Sequence, residues 1–315
     1  RLYDLGSGLR RNYPKTERSI PMYGIINLYK EKGITSFKQI NMLKSLFPGQ
    51  KIGHTGTLDP IAEGVLIVCI GKATRIADYI QAQKKIYKTE MILGLSTDSY
   101  DITGKILSIK KADDISDKTI TDTIDNFKGK QWQKPPVFSA KKVDGRKLYQ
   151  YAVNEQPVEI KKSYIEIMNI GEIKIYDYLY ENTSVKKIVF TVECSKGTYI
   201  RSLCHDIGEM LQKGGTMSAL TRLQVGNFNI NNSYTVEKIR KHSENNLQDI
   251  FIPVEDAVEL PHLYLTSDEM KKYINGVKLK KKQKKGDYII KDINDKVAGI
   301  GIADENGILK GKILL

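Results

Sequence analysis

The chain has 315 residues, of which 40% are hydrophobic, and its 50 Lys and Arg residues outnumber 37 Asp and Glu residues to give a formal net charge of +13. This length allows one large domain and a smaller one, and the charge favours a polyanionic partner. A membrane-spanning protein and a disulfide scaffold are excluded, because no apolar stretch approaches roughly 20 residues and the chain has three cysteines.

Two further observations bear on compartment and metals. No secretory signal pattern is present, so we expect a cytoplasmic protein with no membrane partner. Cys204 and His205 form the one adjacent Cys/His pair, and no second pair follows at ligand spacing. A zinc site is therefore not expected.

The N-terminal half predicts short strands separated by short helices. Residues 1–22 are polar, basic and aperiodic, which indicates a flexible arm or an artificial extension. Residues 23–29 predict a strand, and residues 65–70 and 86–93 predict two more. Thr35 or Ser36 is expected to cap a helix. The residues expected on the apolar face of that helix are Phe37, Ile40, Leu43 and Phe47.

The middle of the chain continues the mixture. Apolar residues at 120, 124 and 127 predict a helix that ends at Gly129. Residues 131–144 predict a loop followed by a strand, residues 165–180 and 185–194 predict paired strands, and residues 198–211 predict a helix. Hairpin-like strands with interspersed helices favour an α+β fold with a mixed, largely antiparallel sheet.

The C-terminal part predicts a separate β-rich module. Residues 232–261 are polar and broken by two prolines, which indicates a join. Beyond it we expect a short helix, the basic run 278–285, and short strands at 288–291, 297–303 and 308–315. Asn306-Gly307 between the last two strands is a strong hairpin signal.

One acid stands out by its surroundings. Residues 53–60 read Gly-His-Thr-Gly-Thr-Leu-Asp-Pro, and an apolar run over residues 64–70 follows almost at once. Asp59 therefore lies at the end of a glycine-rich loop, at the mouth of a predicted buried strand. A carboxylate held there is suited to catalysis, although an Asp that caps a turn is the ordinary alternative.

This loop, with Gly64-Val65-Leu66 after it, resembles the catalytic motif of the TruB family, the bacterial tRNA pseudouridine-55 synthases. Four later segments resemble other motifs of that family in the same order, and the resemblance runs from about residue 24 to residue 256. They are Lys-Lys-Ile-Tyr at 84–87, Pro-Pro-Val-Phe-Ser-Ala-Lys-Lys-Val-Asp-Gly at 135–145, Cys-Ser-Lys-Gly-Thr-Tyr-Ile-Arg at 194–201, and Leu-Thr-Arg-Leu at 220–223.

The resemblance implies both architecture and activity. Residues 23–255 would form the pseudouridine synthase fold, and residues 262–315 a reduced PUA-like RNA-binding module. The activity implied is isomerisation of uridine to pseudouridine in the T-arm loop of tRNA, which requires no cofactor. It also implies a cytoplasmic enzyme that acts as a monomer and needs no protein partner.

By the same resemblance Asp59 is the catalytic carboxylate, whose first step is attack at C6, attack at C1′ or removal of a ribose proton. Arg201 would keep it charged, since a carboxylate buried beside an apolar strand tends to become neutral. Gly197 is expected to allow close approach of the backbone before that helix. Tyr87 would stack on the target base.

Further residues are implied in binding. Tyr199 and Leu220 would shape the base pocket, and His54 would fill the gap left by a base flipped out of the RNA. For Tyr199 and Leu220, a role in core packing alone is nearly as good an explanation. For His54, the alternative is a histidine that hydrogen-bonds to the backbone of its own loop. The residues expected to approach RNA phosphates are Lys141, Lys142, Arg146 and Lys147.

Other interpretations use the same basic surface. A tRNA-folding chaperone would need the charge but not the Asp59, Tyr87 and Arg201 constellation. An RNA-guided relative that acts inside a ribonucleoprotein is disfavoured by the short C-terminal module. The chain departs from the family at residues 27–33, where Asp-Lys-Pro-x-Gly is usual, so either Lys30 or Lys32 could correspond to the usual lysine.

Overall fold

The computed structural model describes residues 23–154, 156–243 and 247–315, apart from the side chains of Lys147 and Ser243. The arm predicted for residues 1–22 lies outside this part. The described strands are β1 (Gly24–Lys30), β2 (Ile52–His54), β3 (Ala62–Ile70), β4 (Lys85–Leu93), β5 (Leu95–Thr97), β6 (Ile106–Ile109), β7 (Gly129–Gln133), β8 (Lys142–Val143), β9 (Arg146–Lys147), β10 (Ser163–Tyr180), β11 (Thr183–Cys194), β12 (Gly215–Val225), β13 (Phe228–Asn229), β14 (His262–Tyr264), β15 (Leu279–Lys280), β16 (Gly286–Lys291), β17 (Val297–Ala303) and β18 (Ile308–Leu314). The described helices are α1 (Ser36–Asn41), α2 (Ala77–Ala82), α3 (Asp117–Asp125), α4 (Leu148–Val153), α5 (Ile200–Met210), α6 (Val236–Ser243), α7 (Val254–Ala257) and α8 (Ser267–Ile274).

Nine of the described strands form the larger sheet, in the order β1-β3-β12-β4-β11-β10-β7, with β2 beside β3 and β13 beside β12. Its pairs are antiparallel except that β12 runs parallel to β3. Gly64 permits that contact, because a Cβ there would lie 2.3 Å from the Arg222 carbonyl oxygen. The predicted α+β fold with a largely antiparallel sheet is confirmed.

Alternation along β4 decides which face of the sheet is covered. Tyr87, Thr89 and Met91 are buried on one face, whereas Lys88 between them is exposed. Helices α3 and α5 cover the buried face, with Ile124 and Leu203 in the same apolar cluster as Met91. Because α5 lies on this face, the residues at its start reach the loop after β2.

A second sheet has the order β14-β16-β17-β18-β15 and contains the hairpin predicted at Asn306-Gly307. It packs against the first sheet, since Ile289 and Ile300 share an apolar cluster with Val65 and Ile67. Polar contacts add to this: Tyr79 donates a hydrogen bond to Asp287 over 2.6 Å. The small C-terminal β-rich module is thus present and tied to the larger sheet.

The join predicted over residues 232–261 is wrong as a description of this segment. It contains α6 and α7, and Val236, Ile239 and Ile250 are buried against β1 and β3. Ile252 donates its backbone N–H to the Ile25 carbonyl over 2.8 Å. Apolar residues spaced for one helix face bury the segment despite its polar composition.

Three local expectations also differ from the structure. The loop predicted from residue 131 begins inside β7, which pairs with β10, and the strand expected after it is the two-residue β9 followed by α4. Phe37 is 64% exposed, and the buried Leu43 and Phe47 lie beyond the end of α1 at Asn41. The central strand β12 was not predicted at all.

No helix among the described residues is long and apolar enough to cross a membrane.

Candidate active site

The loop that carries Asp59 connects β2 to β3 and is anchored at several points. Ser36, at the start of α1, accepts the Leu58 N–H over 2.9 Å and donates to the Leu58 carbonyl over 3.0 Å. Ala62 donates its N–H to the Asp59 carbonyl over 3.0 Å, which forms the turn into β3. The Asp59 side chain is consequently presented from a fixed backbone, and 36% of it remains exposed.

Arg201 holds this carboxylate with two hydrogen-bonding nitrogens. Its Nε lies 3.0 Å from Asp59 Oδ2 and its Nη2 donates to Oδ1 over 3.3 Å. This fork is the geometry in which an Arg–carboxylate pair is strongest. Gly197, before α5, has φ +82°, and nothing lies within 4 Å of a Cβ built there. The expected close approach is therefore wrong, and the backbone angle is what requires glycine.

A second acid shares the same arginine. Arg201 Nη1 lies 3.3 Å from Asp101 Oδ2, and the side chains of both residues are buried. Asp101 Oδ1 also accepts from the Thr103 N–H over 2.9 Å and from the Ser99 hydroxyl over 3.1 Å. The guanidinium is therefore fixed on one side by Asp101 and on the other by Asp59. Such a buried arginine bridging two acids cannot turn away from either without leaving a charge unpaired.

The two partners act in opposite directions on Asp59. Burial is the largest effect and raises the pKa of this carboxyl, Arg201 lowers it, and the negative charge of Asp101 raises it again. The net result is a raised pKa, so burial outweighs the arginine that we expected to dominate. Asp59 is thus more basic than an ordinary aspartate and remains within reach of solvent from the cleft.

Two further buried cations support the loop. Lys30 is fully buried, and its ammonium donates to the Ala62 carbonyl over 2.6 Å and to the Glu31 carbonyl over 3.0 Å. Burial lowers the pKa of Lys30 to about 8, although the charge of Asp59 opposes this. Of the two lysines left open by the sequence, Lys30 is therefore the one beside the Asp59 loop, and Lys32 is exposed.

Arg222 ties three elements together. Its Nε donates to the Val65 carbonyl of β3 over 2.6 Å, and its Nη2 donates to the Gly56 carbonyl of the Asp59 loop over 3.1 Å. Burial raises the pKa of the Tyr87 phenol, and the nearby positive charge of the Arg222 guanidinium partly opposes this. Arg222 is 3% exposed, so it is part of the frame of the site.

These elements surround a cleft of about 860 Å³. Six of the residues predicted from the sequence line it together: Asp59, Tyr87, Lys141, Tyr199, Arg201 and Leu220. Tyr87 and Leu220 come from neighbouring strands, and Tyr199 immediately precedes α5. The Tyr199 backbone is fixed by Gln133, whose amide oxygen accepts its N–H over 2.8 Å. The cleft therefore brings together a carboxylate, a paired guanidinium and two aromatic rings.

His54 does not line the cleft. It is half-buried at the end of β2, and its Nδ1 accepts the Gly56 N–H over 3.3 Å. Burial and the nearby Arg222 lower the pKa of His54. The ring is therefore neutral near physiological pH. It is hydrogen-bonded to its own loop, which is the alternative to a role in RNA binding that the sequence left open. Its action on a flipped base stays a prediction.

The predicted phosphate contacts divide into two groups. Lys141 lines the cleft, and its ammonium is held by the Ser163 hydroxyl at 2.8 Å and the Lys161 carbonyl at 3.0 Å. Lys142 and Arg146 are exposed on the β8–β9 hairpin above it. The side chain of Lys147 lies outside the described part of the structure.

Asp101 and Arg222 were given no role from the sequence, and Lys30 was one of two candidates for the usual lysine of the family. Asp101 lies in a turn-rich stretch between β5 and β6, and the residues Asp-Ser-Tyr-Asp at 98–101 before Gly104 offered the one local signal of a second acidic loop. Among the described residues, no group of three or more His, Cys, Asp or Glu side chains is placed to hold a metal ion.

The chain is similar to known proteins over most of its length. Residues 44–200 match the TruB family pseudouridylate synthase N-terminal domain, and residues 201–259 match the tRNA pseudouridylate synthase B C-terminal domain. The chain is similar to tRNA pseudouridine synthase B of Clostridium tetani, with 39% identity over 93% of this chain and all of that protein. For the Clostridium kluyveri protein of the same name, identity is 41% over 88% of this chain and 90% of the relative.

Solved structures extend the likeness of the fold. A Cbf5–Nop10–Gar1 complex contains a chain with a TM-score of 0.67 and 23% identity, covering 93% of this chain and 85% of that one. The structure of an H/ACA RNP bound to a substrate RNA containing 2′-deoxyuridine gives the same TM-score with 22% identity and the same coverage. These neighbours show the fold, whereas the relatives near 40% identity show the family. The chain belongs to the TruB family of pseudouridylate synthases.

Proposed function

We propose that this enzyme converts uridine to pseudouridine in the T-arm loop of tRNA, at position 55. The observation that carries the proposal is the Asp59 carboxylate, held in a fork by buried Arg201 at the floor of an open cleft. The names of the relatives, tRNA pseudouridine synthase B, support tRNA as the substrate. The T-arm position comes from the motif resemblance.

The reaction is an isomerisation, and its atoms balance without a donor. The bond from N1 of uracil to C1′ of ribose breaks, the base turns, and a bond from C5 to C1′ forms. C5 gives up its proton and N1 gains one. This sequence needs a carboxylate that acts as a nucleophile or base, and a pocket that retains the free uracil. Asp59 supplies the carboxylate in our proposal.

Arg201 keeps Asp59 ionised and aimed, and Asp101 keeps Arg201 in place. Tyr87 and Leu220, on adjacent strands, form the wall against which the base stacks and turns. The phenol of Tyr87 has a pKa raised by burial, so it remains protonated and can donate a hydrogen bond to the uracil. Tyr199 closes the other side of the cleft, supported by Gln133.

The target uridine is stacked inside folded RNA and must be extruded, which costs a few kcal/mol. We propose that His54 contacts the RNA beside the extruded base. Lys141, Lys142, Arg146 and Lys147 would then contact phosphates around the cleft, and such contacts set position without reading sequence.

The C-terminal sheet supplies a second basic surface. In the run 278–285, Lys281 and Lys285 form ion pairs with Glu269 and Glu305, each over 2.6 Å. Lys278, Lys280, Lys282 and Lys284 are exposed and have no ion pair among the described residues. We propose that residues 23–255 carry the chemistry, that residues 262–315 form a PUA-like module contacting the tRNA stem, and that the protein acts as a monomer.

The direct test uses an unmodified tRNA transcript. After incubation with the purified protein, carbodiimide treatment and primer extension should reveal one pseudouridine, in the T-arm loop. A transcript with cytidine at that position is the matched control and should remain unmodified. Pseudouridine at another position would contradict the proposed target. Faster folding of the tRNA without any pseudouridine would instead support the chaperone.

A further inference from the structure

An aromatic pair is exposed at the β7 edge of the larger sheet. Trp132 and Tyr164 are directly opposite each other in the β7–β10 ladder, and their ring centroids are 5.1 Å apart at an interplanar angle of 54°. Trp132 is 64% exposed and Tyr164 is 58% exposed. The single tryptophan of the chain is therefore mostly exposed to solvent.

Packing accounts for little of this arrangement. The neighbours Gln133 and Ile165 are buried on the covered face of the sheet, so Trp132 and Tyr164 point to the opposite face. No described strand continues the sheet beyond β7. A cross-strand aromatic pair stabilises such an edge modestly. It does not require two large rings whose faces remain open.

The charges around the pair favour a polyanion. Lys130 lies two residues from Trp132 on the same strand, and Lys134 and Lys162 follow at the open end of the ladder. None of these three ammonium groups lies within 4.0 Å of a carboxylate of the described residues. Glu166, opposite Lys130, is the one acid in the ladder. Aromatic faces flanked by free lysines suit unpaired nucleic acid bases and their phosphates.

The position links this surface to the cleft. Ser163, which lines the cleft, immediately precedes Tyr164. Gln133, which holds the Tyr199 backbone in the cleft wall, immediately follows Trp132. The rings lie on the opposite face of the sheet from the cleft, so RNA that leaves the cleft would reach them around the free edge of β7.

We propose that Trp132 and Tyr164 form a stacking platform for an unpaired base of the same RNA whose uridine enters the cleft. This inference rests on the proposed function, because it assumes an RNA substrate. The platform binds a nucleotide outside the cleft and takes no part in the isomerisation. Its lysines hold the phosphates on either side of the stacked base.

The single tryptophan permits a test on the unaltered protein. Substrate tRNA, titrated under selective tryptophan excitation, should quench the emission of Trp132 and shield it from acrylamide. The change should saturate at the Kd measured independently by filter binding. Free N-acetyltryptophanamide, titrated with the same RNA, corrects for absorption by the RNA, and Trp132→Phe gives the background emission. Saturated binding with unchanged emission and unchanged acrylamide access would overturn the proposal and leave the pair as a surface for another class of partner.

Substitutions give an independent readout. Trp132→Ala should raise KM and Kd by about 5- to 150-fold, the range expected for one stacked base, with kcat at saturating RNA unchanged. Trp132→Phe should recover most of the affinity. Tyr176→Ala is the matched control, since Tyr176 is 50% exposed on the same strand β10, and it should leave both constants unchanged.

The outcomes also separate this inference from the proposed function. If pseudouridine forms and the Trp132→Ala variant retains the wild-type Kd, the platform is wrong and the activity stands. If the unaltered protein makes no pseudouridine in any RNA offered, the proposed function fails. Quenching that persists in that case would still identify an RNA-binding surface.

Discussion

Charged side chains are buried in the wall of the cleft but exposed on the basic surfaces outside it. Around Asp59, the charged side chains of Lys30, Arg201 and Arg222 are buried and bonded to carbonyls or carboxylates. On the β8–β9 hairpin and in the run 278–285, most cations extend into solvent. The first arrangement fixes a geometry at the cost of desolvating charge. The second provides an electrostatic field that tolerates movement.

This contrast predicts different failures. A substitution in the wall should change kcat and its pH dependence, because it alters the position and the ionisation of the Asp59 carboxylate. A substitution on the basic surfaces should change affinity and its salt dependence, because phosphate contacts are exchangeable. The variants below test whether the molecule divides its work in this way.

The largest effect is expected for Asp59→Asn. The amide keeps the size of the side chain and loses the nucleophilic and basic charge, so kcat should fall by roughly 10⁴-fold, the upper range for one acid–base group. The Kd for tRNA should change little. Single-turnover kinetics and filter binding on the same preparation measure the two quantities. A fall in kcat of less than about 10²-fold, the lower end of the range for one acid–base group, would remove Asp59 from the catalytic role.

Arg201→Ala should be the next most severe. It leaves Asp59 and Asp101 facing each other without their shared cation, and an uncompensated buried charge costs about 3–5 kcal/mol. Since Arg201 lowers the pKa of Asp59, the acid limb of the pH–rate profile should move to higher pH. Arg201→Lys restores the charge without the fork and should recover part of the rate. Near wild-type kcat for the alanine variant at neutral pH would disprove the pairing.

Asp101→Asn should shift the same limb in the opposite direction. Its negative charge raises the pKa of Asp59, so its removal lowers that pKa, and activity should persist to more acid pH. The rate at neutral pH should still fall, by up to about 10²-fold, since Arg201 loses one of its anchors. Ser99→Ala, which removes one hydrogen bond to Asp101 but keeps the charge, is the matched control. An unmoved acid limb would show that Asp101 does not act through Asp59.

Sequence alone anticipated the parts of the site that are local. The Asp59 loop, the strand that follows it and the helix that begins near Arg201 follow from a short motif and from apolar periodicity. The identity of the arginine partner came from the family resemblance. Its contact with Asp59 depends on two segments 142 positions apart, which periodicity does not reveal.

The remaining parts depend on packing between distant segments. Strand β12 mixes small, polar and apolar residues without regular alternation, and it gains its place from pairing with β3 and β4 on either side. Asp101 reaches Arg201 because the loop before β6 is fixed to β12, where Ile102 donates to the Met217 carbonyl over 2.9 Å. From the sequence, a lysine at the end of a strand is expected in solvent. In the fold, Lys30 is instead buried beside β3. Each case is tertiary structure overriding local preference.

The smallest effect concerns the run 278–285. Removing the whole C-terminal sheet would be a poor test, because Ile289 and Ile300 complete an apolar cluster with Val65 and Ile67 and the deletion would expose it. Substitution of the four exposed lysines without ion pairs avoids this problem. The quadruple variant Lys278→Ala, Lys280→Ala, Lys282→Ala, Lys284→Ala should keep the melting temperature of the unaltered protein.

The expected result for this variant is weaker tRNA binding with kcat unchanged at saturating RNA. The absolute slope of log affinity against log salt should fall by about 0.7–0.9 for each lysine that contacts a phosphate. Lys285→Ala is the control, because this ammonium is already paired with Glu305 and its loss should change the slope less. A folded quadruple variant with the original slope would show that the run contacts no RNA. A reduced kcat would mean that the C-terminal sheet positions the RNA for catalysis, and the division of labour between the buried wall and the exposed lysines would fail.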